Sequence, residues 1–305
     1  LYILSMHFCK ILPRELVLNL GKRYFSRPSG TGPFVYDSWI RDTRLDVVGV
    51  RLERNDEYFG GRPYLDAVEF CPQFTLDHFL NGEIESIPVL SERLLKSNYQ
   101  VFEDGLLYTM FLGMSCNIPP FDSPAMRKVI LHAVNKEEVV RAAYDARYVR
   151  RMTNNYIPSR LPGFFPKDDE KSYDPESSKK ILNEGGYSAG REFPALTLFL
   201  ELPRTDAKFR IYRELRRQLD AVGLKLKLSY CRSLEEAKRF KEPYLVLVGR
   251  AMNCPGPEDI IRPLFYSKSV FNVFNYESPE MDRILAEAEV ERSWTKRVNL
   301  FHQVE

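Results

Sequence analysis

The chain has 305 residues, 44% hydrophobic and 28% charged, with a formal net charge of +2. That is the composition of a globular protein long enough for two domains, and it carries no electrostatic footprint for nucleic acid. No apolar run reaches the roughly 20 residues of a membrane span.

Taken in chain order, Leu1 to Cys9 has no initiator Met, no basic leader region and no small-residue cleavage site, so it does not read as a signal peptide. Arg44 to Asn55 reads as a strand, with Leu45, Val47, Val48, Val50 and Leu52 among interleaved charges. A polar turn with Gly60-Gly61 follows, then a strand over Leu65 to Phe70. Thr75 to Leu80 is a short helix ended by Asn81-Gly82. Tyr99 to Phe102 and Leu107 to Leu112 read as two strands of a hairpin, turned at Glu103-Asp104-Gly105. Residues 1–112 are therefore expected to form one strand-rich unit and 113–305 a second, with the boundary between Leu112 and Pro120.

Helix signals dominate after Pro119-Pro120. Ser123-Pro124 opens a helix with Val129, Ile130, Ala133 and Val134 on its apolar face. Asn135 with Glu138 marks a second N-terminus, and Asp174-Pro175 a third that stops at Gly185-Gly186. Leu196 to Leu200 is a strand, Asp206 to Val222 a long helix closed by Gly223, and Leu224 to Tyr230 a strand. Such a unit packs as a parallel crossover. Ser233 with Glu236 caps a short helix, Tyr244 to Val248 is a buried strand, and Ser278-Pro279 and Ser293 open the last two helices. The class is α/β. Glu305 falls inside an amphipathic helical pattern, and the expectation is a fragment cut from a longer chain at both ends.

Side chains that carry chemistry are sparse. Five cysteines lie far apart with no CxxC, which points to small buried thiols and away from zinc. His7, His78, His132 and His302 form no HxxxH or HExxH arrangement. Nucleophile elbow, P-loop and dinucleotide fingerprint are all absent. No cofactor, no metal and no enzymatic activity are expected. The basic loop from Arg147 to Asn155 reads as a solvated charge run in preference to a cleft lining, and Arg127 as a structural ion-pair partner.

Several segments carry a resemblance when read together. They are Ser29-Gly30-Thr31-Gly32-Pro33-Phe34, the run from Arg54 through Asp56, Tyr58, Gly60-Gly61-Arg62-Pro63-Tyr64-Leu65-Asp66 to Phe70, and Gly82-Glu83-Ile84-Glu85. Asn117 to Val129, His132 to Val140, Tyr173 to Tyr187, Gln218 to Leu224, and Asn272 with Tyr276, Ser278, Pro279, Glu280 and Asp282 complete the set. Each is weak alone. In this order they resemble family 5 of the extracellular solute-binding proteins, the peptide- and nickel-type receptors of ABC importers.

The resemblance implies an incomplete two-lobed clamshell of the periplasmic-binding-protein kind (type II), with 1–112 part of lobe I and 113–305 most of lobe II. It implies a monomer that captures a peptide or similar small solute and passes it to a membrane permease. Its place would be periplasmic or extracellular, reached through an N-terminal signal missing from this sequence. The alternative is a cytoplasmic ligand-sensing domain of a regulator. Family members often carry a glycine-tryptophan step and then an aspartate that holds a peptide's α-ammonium. Here Arg250 stands at the tryptophan position and Asn253 at the aspartate position. An amide cannot neutralise an ammonium in a low-dielectric cleft, whereas Arg250 favours a carboxylate or phosphate. Met114 and Asn117 fall on the segment expected to cross between lobes, with a turn role the commoner reading for Asn117. Arg250, Asn253, Asn117, Met114 and Asn272 are the expected ligand residues.

Overall fold

The computed structural model describes residues 9, 11–88, 94, 98–100, 102, 108–144, 155–158, 161, 164, 173–187, 192–252 and 256–304. Contacts divide the chain between Asp104 and Gly105.

The first unit holds helix α1 (Arg14–Leu20), a 3-10 segment (Gly21–Ser26) and an antiparallel sheet of β1 (Phe34–Arg41), β2 (Val47–Arg54) and β3 (Ala67–Phe70), in the order β1-β2-β3. β2 starts three residues later than its apolar pattern suggests. The Asp42 carboxylate accepts the Arg44 and Asp46 N–H groups and puts Leu45 at φ 66, so those residues form the β1–β2 turn. The loop between β2 and β3 is held by charge. Arg54 pairs with Asp56 and with Asp66, and Arg62 reaches Asp56 at 3.0 Å. Because Asp66 is engaged there and Leu65 is exposed, β3 begins at Ala67. α2 (Leu76–Leu80) follows Thr75, whose N–H donates to His78 Nδ1 at 3.1 Å.

The expected hairpin over 99–112 lies only partly within the described residues. Tyr99, Gln100 and Phe102 lie outside any strand, and the turn at 103–105 is outside the described residues. β4 (Tyr108–Met114) instead pairs antiparallel with β7 (Tyr244–Ala251), in the sheet of the second unit. A boundary at Leu112 would cut through this strand.

That sheet has the order β4-β7-β5-β6, with β5 (Leu196–Glu201) parallel to both β7 and β6 (Leu226–Cys231). Helices α3 (Pro124–Ala133), α4 (Lys136–Ala143), α5 (Pro175–Glu184) and α6 (Asp206–Asp220) precede or link its inner strands, and α7 (Glu258–Phe265), α8 (Pro279–Val290) and α9 (Trp294–Val304) follow β7. Alternation sends Leu196, Leu198, Leu200 and Leu245 to one face, against Val129, Ile130, Leu182, Ile211 and Leu215. Phe199, Tyr244, Val246 and Val248 go to the other, against Ile260, Leu264, Leu285 and Phe301. Both faces of β5 and β7 are thus covered, as parallel strands require.

The caps behave as their sequence predicts. Asn135, Asp174, Thr205 and Ser278 each accept a backbone N–H from the first turn that follows. Ser123 makes no such bond; α3 relies on Pro124 at its first position. Arg127 bonds the carbonyls of Phe121 (2.7 Å) and Asp122 (3.3 Å), a carbonyl clamp in place of the expected ion pair. Gln218 is a buried link between helices, its Oε1 accepting the Asn135 N–H at 2.8 Å. Cys9, Cys71, Cys116 and Cys231 are unbridged, and Cys254 lies outside the described residues.

Candidate functional site

β7 runs through Arg250 to Ala251, so Arg250 is a strand residue and not the loop residue expected after Val248. It stands opposite Thr109 of β4. The alternation that buries Val246 and Val248 puts Arg250 on the same face, half-buried at the end of the strand. Its Nε donates to the Asp259 carbonyl in the first turn of α7 at 3.1 Å. Its guanidinium lies 5.3 Å from the centroid of the exposed Phe271 ring, within cation–π range. Among the described residues no carboxylate comes within ion-pair distance of it. The terminal nitrogens of Arg250 are thus a partly desolvated cation at a strand end, where α/β sheets tend to hold ligands.

The opposite face of the same strand end carries tyrosines. The Tyr108 ring rests on Gly249, where an added Cβ would fall 1.7 Å from the Tyr108 hydroxyl, so only glycine allows the approach. Burial pushes the Tyr108 phenol up, with the neighbouring Tyr144 adding to the effect, and burial raises Tyr144 as well. Both stay neutral hydrogen-bonding groups at physiological pH. Sequence reasoning passed over Tyr108, Tyr144 and Phe271. The available signal was Gly249, since a glycine inside a buried strand marks a close approach.

The other expected residues are placed elsewhere. Asn253 lies outside the described residues, as does the basic loop apart from the buried Asn155. Asn272 is 1% exposed, and its side chain is spent on backbone: Nδ2 donates to the carbonyls of Tyr276 (2.7 Å) and Tyr266 (3.4 Å), and Oδ1 accepts the Tyr276 N–H (3.1 Å). It holds the 266–276 loop together and, through that loop, places its neighbour Phe271 beneath Arg250. Met114 ends β4 opposite Leu245 and packs against the α3–α6 core. Five ladder steps separate it from the Thr109–Arg250 pair, about 17 Å. Asn117 is exposed in the turn before Pro119-Pro120. The structure therefore groups Arg250 with Phe271 and with the frame set by Asn272, and leaves Met114 and Asn117 apart from them.

Among the described residues no cluster of three or more His, Cys, Asp or Glu side chains could hold a metal, and no helix is long and apolar enough to cross a membrane.

A family model described as bacterial extracellular solute-binding proteins, family 5 Middle, matches residues 1–272. The chain is similar to "Probable di/tripeptide-binding protein 5" of Pseudomonas aeruginosa, 26% identical over 99% of this chain and 59% of that one. It is likewise similar to the dipeptide-binding protein of Escherichia coli, 23% identical over 99% of this chain and 59% of that one. Among solved structures, the ABC transporter substrate-binding protein CtaP of Listeria monocytogenes superposes with a TM-score of 0.82 at 20% identity. That match covers 96% of this chain and 61% of CtaP, so the two share a fold. The chain spans about three fifths of the length of these relatives. With a match that extends over residues 1–272 and motifs in the order the family shows, the chain belongs to family 5 of the bacterial extracellular solute-binding proteins.

Proposed function

We propose that the protein captures a small solute, a peptide or a molecule of similar size, and delivers it to the membrane permease of an ABC importer. Family membership and the shared fold support this reading, and the names of the relatives favour it over a cytoplasmic sensor. It acts as a monomer, without nucleic acid, on the periplasmic or extracellular side of the membrane. In such a receptor binding energy comes from contacts that only the closed form makes.

The observation that carries the ligand reading is Arg250: half-buried at the end of β7, stacked over Phe271, and unpaired with any carboxylate of the described residues. A guanidinium in that state grips a carboxylate or phosphate with two parallel hydrogen bonds. An ammonium brought beside it meets like charge. The ligand is accordingly acidic or neutral at this end, and Asn253 supplies an uncharged amide where a carboxylate would hold a peptide's N-terminus.

A thermal-shift screen against unmodified peptides, peptides blocked at the N-terminus, acidic metabolites and nickel chelates tests this. A ligand at about 100 times its dissociation constant stabilises by roughly 2.7 kcal/mol. The expected result is a shift with anionic or blocked ligands that disappears in Arg250→Ala. Tight binding of unmodified peptides, untouched by changing Asn253, would defeat the anchor assignment. No shift with any class would defeat the capture reading.

A further inference from the structure

Helix α6 gives the core Ile211, Leu215, Gln218 and Leu219 and turns Phe209, Arg210, Arg213, Arg216 and Arg217 to solvent. The crossover between β5 and β6 needs only the buried face, so the fold does not account for four guanidiniums in eight residues. Two of them are neutralised. Arg216 pairs with Asp220 at 3.6 Å, and Arg217 with Glu214 at 2.6 Å and with Glu138 of α4. The other two are not. Arg210 donates to the Ala143 carbonyl at 3.3 Å, and among the described residues neither Arg210 nor Arg213 has a carboxylate at ion-pair distance. Arg213 lines two adjoining hollows of about 510 and 400 Å³. Phe209 and Tyr212 form the wall of the first, their ring centroids 6.1 Å apart, and the second reaches Ala142 of α4. From Phe209 to Asp220 the helix rises about 16 Å, the span of roughly five extended residues.

We propose that this face of α6 docks a short, extended, acidic segment of a partner protein. Its carboxylates sit on Arg210 and Arg213, and an apolar side chain sits on Phe209 and Tyr212. The charge pattern selects this occupant over a bilayer. Glu138, Glu214 and Asp220, held by Arg216 and Arg217, interrupt the cationic face, so it offers two spaced cations and not the continuous positive surface that an anionic bilayer favours. A segment with spaced carboxylates avoids those three acids and keeps both bidentate grips. The site is separate from Arg250, on another element and of another purpose: it recognises a protein, not a captured solute.

Fluorescence anisotropy on the 305-residue chain tests it, with acetyl-Phe-Glu-Asp-Glu-Glu-Lys amide carrying fluorescein on the lysine Nζ and its Gln/Asn counterpart as probes, and phosphatidylglycerol vesicles as a separate arm. The acidic peptide is expected to bind, to weaken as added salt shortens the screening length, and to bind about tenfold or more tightly than the neutral one. The double variant Arg210→Ala/Arg213→Ala should lose that margin with an unchanged melting temperature. Should the double variant melt early, Arg213→Glu alone provides the readout, since Arg213 is exposed and supports no other described contact. No peptide binding, equal binding of the two peptides, binding indifferent to Arg213→Glu, or adsorption to vesicles without peptide binding each overturns the proposal.

Discussion

Replacing Tyr244 by Phe removes one oxygen from the centre of the second unit, and its cost should depend on pH in a specific direction. Tyr244 is fully buried at the start of β7. Its hydroxyl donates to the Val273 carbonyl at 3.0 Å and accepts from Asn275 Nδ2 at 3.2 Å. Losing it strands the buried Val273 carbonyl and takes a partner from the half-buried Asn275 amide, a cost of about 1–3 kcal/mol, or roughly 2–4 °C in melting temperature per kcal/mol for a unit of this size. Burial, with a smaller push from Cys116, raises the Tyr244 phenol to about 12. An unfolded tyrosine titrates near 10. Below that value both states keep the proton and the native advantage is complete. Between about 10 and 12 the unfolded chain releases a proton that the native chain retains, so stability falls as pH rises, by on the order of 2–3 kcal/mol in all. The Phe variant has no such proton. Urea unfolding of both proteins, taken as a difference from about pH 8 to 11.5, cancels the other titrating groups they share. The wild-type advantage should shrink steadily above about pH 10. A difference that stays flat, or widens, refutes the account.

Three further changes test other parts of the structure. Gly113→Ala would place a Cβ 1.9 Å from the buried Phe274 ring, and overpacking there should cost about 1–3 kcal/mol in a thermal melt; an unchanged melt would show that the ring yields freely. Asn272→Ala should cost about 1–3 kcal/mol by urea unfolding. Asn272→Asp should fail comparably, because a carboxylate cannot donate to the Tyr266 and Tyr276 carbonyls; full stability of the Asp variant would dismiss the loop-holding role. The Ser177 hydroxyl, helped by the N–H groups at the start of α5, holds the Asp174 carboxyl below its ordinary range. Its contribution is complete above the ordinary carboxylate range and lost as pH falls. Asp174→Ala should therefore lower the melting temperature at neutral pH by more than in acid, and equal losses at both would contradict the cap.

Local chemistry was legible where it is decided locally. Asn135, Asp174, Thr205 and Ser278 mark helix starts because a short polar side chain can meet the orphan N–H groups only there, and each does so. The β5–α6–β6 crossover was readable because its period changes twice within some 35 residues. The partner of β4 was not legible, because a turn signal near 103–105 cannot tell which partner a strand takes, and β4 pairs with the distant β7. α7 escaped notice because Pro263 interrupts an eight-residue segment that otherwise reads as a short apolar run. At the candidate site, the oddity of Arg250 was visible in the sequence. Its stack on Phe271 and the inward use of Asn272 were not, since both depend on how the loop over 266–276 returns to the strand.

The pairing of β4 with β7 also sets an order of events during folding. β5, α6 and β6 are contiguous in the chain and can associate locally, whereas β7 must insert between β5 and a strand far upstream. The Tyr244 N–H donates to the Ser115 hydroxyl across 129 positions of sequence, so this closure carries the loop entropy of nearly half the chain. A chain in which β7 has not yet inserted holds a β4 without its neighbour, the kind of edge that other chains can capture. Insertion of Tyr244–Ala251 is the step that seals the sheet, and the same eight residues that seal it deliver Arg250 to its end.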